Sequence, residues 1–128
     1  VETVPRLYKQ IRPGSNYNES LNLLLEVKKH DPSIFTKSGI MVGLGEDLDE
    51  IKLVLKDIKK SEIDFITIGQ YLQPSIHHEK VHKFYSPNEF SYLYDFCVSL
   101  GFKMISSSAM TRSSYHADED FIKLKELV

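Results

Sequence analysis

Cysteine occurs once in this 128-residue chain, at position 97. A single thiol excludes an internal disulfide and argues for a reducing compartment. Cys97 sits among Phe96, Val98 and Leu100 in a stretch of helical character, so a buried structural thiol is expected. Long apolar runs are missing as well. Stretches such as LNLLLEV are broken by charge or fall far short of the roughly 20 residues that span a bilayer. Nor is there an excess of charge: 16 Lys and Arg stand against 18 Asp and Glu, a net of −2, which exerts no general pull toward nucleic acid or an anionic membrane. No signal peptide is visible, and no repeat or low-complexity segment interrupts the chain. The chain opens on VETVPRLYKQ without a Met, as though entered mid-element, and we expect a longer parent chain.

What is present has ordinary globular proportions, 41% apolar and 27% charged, at the length of one domain able to bury a core. NESLNLLLEVKKHD sets Leu21, Leu24, Leu25 and Lys28 at helical spacing, with Asn16 or Asn18 as its N-cap. TKSGIMVGLGE reads as a short buried strand over 36–42 that runs into a glycine turn. In DLDEIKLVLKDIKKSEI the residues Leu48, Ile51, Leu55 and Ile58 form a stripe, and acids gather in the first turn, where the helix dipole favours them. DFITIGQYLQPS predicts a second buried strand, stopped by Pro74. SPNEFSYLYDFCVSLG carries a capping box at Ser86 and Glu89, Pro87 at the first helical position and Gly101 at the end. FKMISSSAM is a candidate for a third strand.

Helix and strand alternate three times, which predicts parallel strands buried on both faces. A closed eight-fold barrel needs about 250 residues, so this alternation suggests part of a barrel, with a small open sheet as the competing arrangement. In either fold chemistry collects at the carboxyl ends of the strands. Those ends are GLGE, GQYLQPS and SSSAMTRSSYHAD.

Each motif has a plain reading beside a functional one. GLGE is a turn that needs left-handed glycine dihedrals, or a place where a ligand approaches backbone closely. Lys37 is a solvated lysine at a strand's start, or points inward to an anionic group. His77, His78 and His82 have metal-like spacing, yet no regular element fixes them, and solvated loop histidines are expected. Arg12 precedes Pro13 and Gly14 in a turn, where it is solvated or clamps an anion. In TRSSYHADED, Ser113 or Ser114 with His116 as base would be a hydrolase nucleophile. Turn serines satisfying backbone are the simpler reading.

Taken together, the segments VETVPRLYKQIRPGSNYNESL, TKSGIMVGLGED, DFITIGQYLQPS and TRSSYHADE, in that order over residues 1–119, resemble lipoyl synthase, a radical S-adenosylmethionine (SAM) enzyme. The resemblance implies an α/β fold, the C-terminal part of a partial (β/α)6 TIM-like radical SAM barrel. Residues 1–128 would run from the end of its fourth strand onward and include the RSSY segment at 112–115. It implies insertion of two sulfur atoms into an octanoyl chain held on a lipoyl carrier domain or glycine cleavage carrier protein. Two [4Fe-4S] clusters would serve, one cleaving SAM to a 5′-deoxyadenosyl radical and one consumed as sulfur source. A ferredoxin or flavodoxin would donate electrons. No nucleic acid or membrane partner is implied, and the location would be cytoplasmic, or mitochondrial or plastid in a eukaryote.

By the same resemblance, Glu2 would hydrogen-bond the SAM ribose hydroxyls, since a carboxylate offers several acceptor sites to a diol. Gly43, Gly45 and Glu46 would shape the SAM site, and Gln70, Tyr71 and Leu72 would lie against adenine. Lys37 and Ser38 would line the barrel interior, and Arg12 would support the SAM or cluster region. Ser114, with Ser113 as second choice, would ligate the auxiliary cluster as a hard, weak ligand for iron. Arg112 would steady the deprotonated oxygen, and Tyr115 would pack over it. The six cluster cysteines of the family lie upstream of this segment, and Cys97 matches none of them. The chain alone is therefore expected to be inactive. Two alternatives are a biotin synthase-like radical SAM enzyme, which should lack RSSY, and a non-catalytic half-barrel that binds a lipoyl carrier.

Overall fold

The computed structural model describes residues 3–8 and 16–111. After a single 3-10 turn, Pro5–Leu7, come helix α1 (Tyr17–His30), strand β1 (Lys37–Val42), helix α2 (Leu48–Lys60), strand β2 (Phe65–Gln70), helix α3 (Pro87–Leu100) and strand β3 (Met104–Ser108). The strands form one open parallel sheet in the order β1-β2-β3. Lys37 pairs with Phe65 and Phe65 with Met104, and each ladder runs on in step. The sheet is thus α/β and unclosed among the described residues.

Local chemistry explains where each helix starts. The Asn16 side chain accepts a hydrogen bond from the Glu19 amide at 3.0 Å and opens α1. Asp47 and Glu50 exchange side-chain and backbone bonds as a capping box before α2, and Ser86 and Glu89 do the same before α3. Such caps supply acceptors to the amides that the first helical turn leaves unpaired. Gly101 ends α3 with φ of 89°, a left-handed conformation that suits glycine.

Two parallel connections stepping the same way across the sheet must put α2 and α3 on one face, because such crossovers are right-handed. Packing agrees: Ile40 and Val42 of β1, Ile66 and Ile68 of β2 and the inner faces of both helices join one buried core. Tyr17 ties α1 to α2 through a 2.8 Å bond from its hydroxyl to Asp57. On α2 the buried stripe is Ile51, Val54, Leu55 and Ile58, and Leu48 is exposed. The expected stripe therefore begins one turn too early, because Leu48 is the first helical residue and stands outside the helix–sheet contact. Strand β1 starts at Lys37, one residue later than expected, and β2 stops at Gln70, four residues before Pro74. Cys97 is fully buried on α3, and burial pushes its thiol up to about 12.

At the amino ends of the strands, Asp64 is the hub. Its buried carboxylate accepts from the Thr36 amide at 3.0 Å and from the Lys28 ammonium, joining α1, β1 and β2. Among the described residues no helix is long and apolar enough to cross a membrane.

Candidate functional site

The carboxyl ends of the strands carry a second, larger polar assembly. It is built on three pieces: the turn at 43–46 after β1, the long loop between Gln70 and Ser86, and the segment 3–8.

Glu46 closes the turn on itself. One carboxylate oxygen accepts from the Gly43 and Leu44 amides at 2.9 and 3.2 Å, and the other from the Tyr85 hydroxyl at 3.2 Å. Burial, then the Glu46 charge, drives the Tyr85 phenol well above its ordinary range, so it stays a donor. Gly43 has φ of 103°, and a methyl there would stand 2.4 Å from the Gln70 amide nitrogen and 2.5 Å from the Lys83 carbonyl. The turn and the loop approach each other as closely as they do because residue 43 has no side chain.

Gln70, the last residue of β2, holds the two ends of the loop together. Its amide nitrogen donates to the Tyr71 and Lys83 carbonyls at 3.0 and 2.9 Å, and its oxygen accepts from the Tyr85 amide at 2.9 Å. The His82 amide donates to the Gly43 carbonyl at 2.8 Å, which stitches the loop to the turn. Arg6 completes the layer from the other side. Its guanidinium makes two 2.9 Å bonds to Glu50 and one to the Gly45 carbonyl. That fork holds the Glu50 carboxyl below its usual range, the hydrogen bond from Arg6 being the main cause.

The end of β3 is made differently. The Thr111 hydroxyl lies 2.9 Å from the Ser106 hydroxyl and 2.8 Å from that of Ser108, and its amide donates to the Ser108 carbonyl. Thr111 is buried and immediately precedes Arg112 in sequence. The Thr3 hydroxyl is also fully buried, and it has no hydrogen-bond partner among the described residues.

The chain matches no protein-family model.

Of the residues singled out in the sequence, Gly43, Gly45, Glu46, Gln70 and Tyr71 meet in this one layer. The side-chain polar atoms of Glu46 and Gln70 bond the protein itself, so their contribution is to shape the strand ends. Tyr71 donates from its hydroxyl to the Glu79 carbonyl at 2.6 Å, and Leu72 beside it is half exposed. Lys37 and Ser38 are neighbours on β1, so the pleat sends them to opposite faces. Ser38 shares the helix side with Ile40 and Val42. Lys37 lies on the other face, its ammonium 4.7 Å from the Phe65 ring centre. Only one of the two can therefore face away from the helices. Glu2, Arg12, Arg112, Ser113 and Ser114 lie outside the described residues, as do Tyr115 and His116.

The three loop histidines are exposed, as expected, but two of them have partners. His78 Nδ1 is 2.8 Å from the Ser75 hydroxyl, and His82 Nε2 is 2.9 Å from Glu79. Among the described residues no three His, Cys, Asp or Glu side chains cluster as a metal site. Arg6 and Tyr85 were not singled out as site residues. The signal for Arg6 was available, a lone arginine in a segment otherwise apolar or neutral. Tyr85 gave none, since its partner lies 39 positions away.

Proposed function

We propose that this chain is the C-terminal part of a radical SAM barrel of lipoyl synthase type, which inserts two sulfur atoms into a protein-bound octanoyl chain. The observation that carries the reading is the convergence of three separate sequence segments on one edge of a parallel sheet. G-L-G-E forms the 43–46 turn at the end of β1. G-Q-Y-L-Q-P-S crosses the end of β2. Thr111, at the end of β3, leads directly into R-S-S-Y. Active sites of β/α folds collect at this edge.

SAM is compatible with the residues present. The buried Thr3 hydroxyl has no partner among the described residues, and an orphan of this kind costs about 1–3 kcal/mol, which a polar group of a bound ligand would relieve. Thr3 stands beside Glu2, the expected ribose acceptor. When bound, SAM supplies a carbon radical for hydrogen abstraction. The chain's own part is to keep the strand ends in shape: Glu46 fixes the glycine turn, Gln70 fixes the loop and Arg6 clasps the turn from outside.

The clusters do not fit the described residues. Cys97, the one thiol, is sealed in the helix-side core with its proton held by burial, and the thiolate is the form that binds iron. Ser114, outside the described residues, is a proposed ligand of a cluster whose cysteines would lie upstream of this segment.

The test uses the full natural chain that contains this segment, purified without oxygen and loaded with iron and sulfide. With SAM, a strong reductant and an octanoyl-lysyl peptide, mass spectrometry should find two C–H bonds of the octanoyl chain replaced by C–S bonds. Failure to form product, with the iron and sulfide content intact, overturns the reading. In Ser114→Ala the loss of one cluster's iron and of product is expected. Wild-type iron content and rate would remove Ser114 from the proposal.

A further inference from the structure

Two glycines shape the turn after β1, Gly43 and Gly45, with left-handed φ of 103° and 108°. A turn with that much backbone freedom keeps one conformation only where other groups hold it. The Glu46 carboxylate holds its first half through the Gly43 and Leu44 amides, and the His82 amide holds the Gly43 carbonyl. The second half turns on the peptide unit between Gly45 and Glu46. Its carbonyl accepts from the Arg6 guanidinium at 2.9 Å. Its N–H, that of Glu46, finds no acceptor among the described residues. A peptide unit is planar and trans, so a carbonyl fixed toward Arg6 turns that N–H the opposite way.

Arg6 is itself fixed at both ends. Two further bonds of 2.9 Å run to the two oxygens of Glu50, in the first turn of α2. Its backbone belongs to the 3-10 turn Pro5–Leu7, which the buried Val4 and Leu7 anchor in the core. The fork therefore joins the segment that carries the Thr3 hydroxyl to the glycine turn, across 39 positions of sequence. As a stabiliser it is weak, because the Arg6 side chain is 58% exposed and exposed ion pairs contribute little to folding. What a planar fork with three bonds provides beyond a single ion pair is orientation.

We propose that Arg6 is a positioning residue for ligand binding at this edge. It sets the Gly45–Glu46 peptide, and the placement of that peptide relative to Thr3, so that both offer polar groups to one bound molecule. Arg6 acts through the turn and does not itself touch the ligand. The identity of that molecule, SAM, rests on the functional reading above. Affinity for SAM should accordingly depend on Arg6 far more than stability does.

The test is equilibrium dialysis of radiolabelled SAM against the full natural chain, purified without oxygen and loaded with iron and sulfide. Thermal melting without SAM runs beside it. Arg6→Ala should bind SAM roughly tenfold more weakly, while its melting temperature falls by no more than about 2 °C. Arg6→Lys should recover only part of the affinity, since an ammonium reaches the Gly45 carbonyl or Glu50 but lacks the fork that serves both. Equal affinity in wild type and Arg6→Ala overturns the assignment. So does full recovery in Arg6→Lys, or a loss of affinity matched by a large fall in melting temperature. If the wild type binds no SAM, the SAM reading of this edge fails and the role of Arg6 falls with it. Wild-type binding that Arg6→Ala leaves unchanged removes Arg6 alone and keeps the SAM reading.

Discussion

The two ends of the sheet solve the same problem by different means. Both must bury polar groups where strands stop. At the amino ends a charge pair does it: Asp64 takes the Lys28 ammonium and the Thr36 amide in one compact hub. At the carboxyl ends the work is spread over a neutral amide, a carboxylate saturated by backbone amides and a tyrosine hydroxyl, with Arg6 clasping from outside. The first arrangement joins short connections and leaves little room for change. The second spans a long loop and a glycine turn and ties them together by several separate bonds. A buried ion pair depends wholly on both partners, whereas a distributed network loses its members one at a time.

That contrast can be broken hardest at the ionic end. Asp64→Ala leaves the Thr36 amide without its acceptor and the largely buried Lys28 ammonium without its counter-charge, with only the Ile34 carbonyl still accepting from it at 2.8 Å, and should cost about 3–5 kcal/mol in urea unfolding. Adding Lys28→Met should return much of the loss. If the single variant costs no more than an exposed ion pair, the ionic end is not the tight one.

The carboxyl end should yield less. Gln70→Leu removes three hydrogen bonds and leaves the Lys83 carbonyl and Tyr85 amide without their partner, for an expected loss of about 1–3 kcal/mol. Amide exchange should quicken across residues 71–85 while β1 stays protected. Uniform loss of protection over the whole sheet would show that the loop and sheet open as one unit.

Ser86→Ala should cost about 1 kcal/mol through the lost cap of α3, with fraying confined to its first turn by amide exchange.

The smallest effect concerns Arg6 and Glu50. The folded Glu50 carboxyl lies below its ordinary value of 4.5, so the contribution of the clasp is present above that value. It is lost as pH falls through the lower folded value. Melting curves of wild type and Arg6→Ala should differ slightly at neutral pH and converge in acid. A gap that persists in acid would mean that Arg6 acts through the Gly45 carbonyl instead.

Much of this fold was legible in the residues because the signals were local. Ser86, Pro87, Glu89 and Gly101 bound α3 within a residue, since capping is chemistry between neighbours three or four positions apart. The strand runs and the alternation with helices foretold a parallel sheet. The site was legible only in part. Gly43, Glu46 and Gln70 were singled out, but as parts of a ligand site. Their side-chain bonds to each other's loops depend on partners up to 39 positions away, which no periodicity reveals. Leu48 misled because a stripe counted at fixed spacing does not say where the helix first meets the sheet. Lys37 and Ser38 could be separated from the outset, since adjacent residues of a strand cannot share a face.

The sequence by itself determined the order and type of the elements, their caps and the single sealed cysteine, because these follow from short-range backbone chemistry and from apolar pattern. Tertiary structure alone decided that the 43–46 turn, the 71–85 loop and Arg6 form one layer, and that Asp64 gathers three elements at the opposite end. The physical reason is that a buried polar atom must find a partner wherever the packed chain brings one. That partner is set by which strands lie side by side, a fact absent from any local stretch of residues.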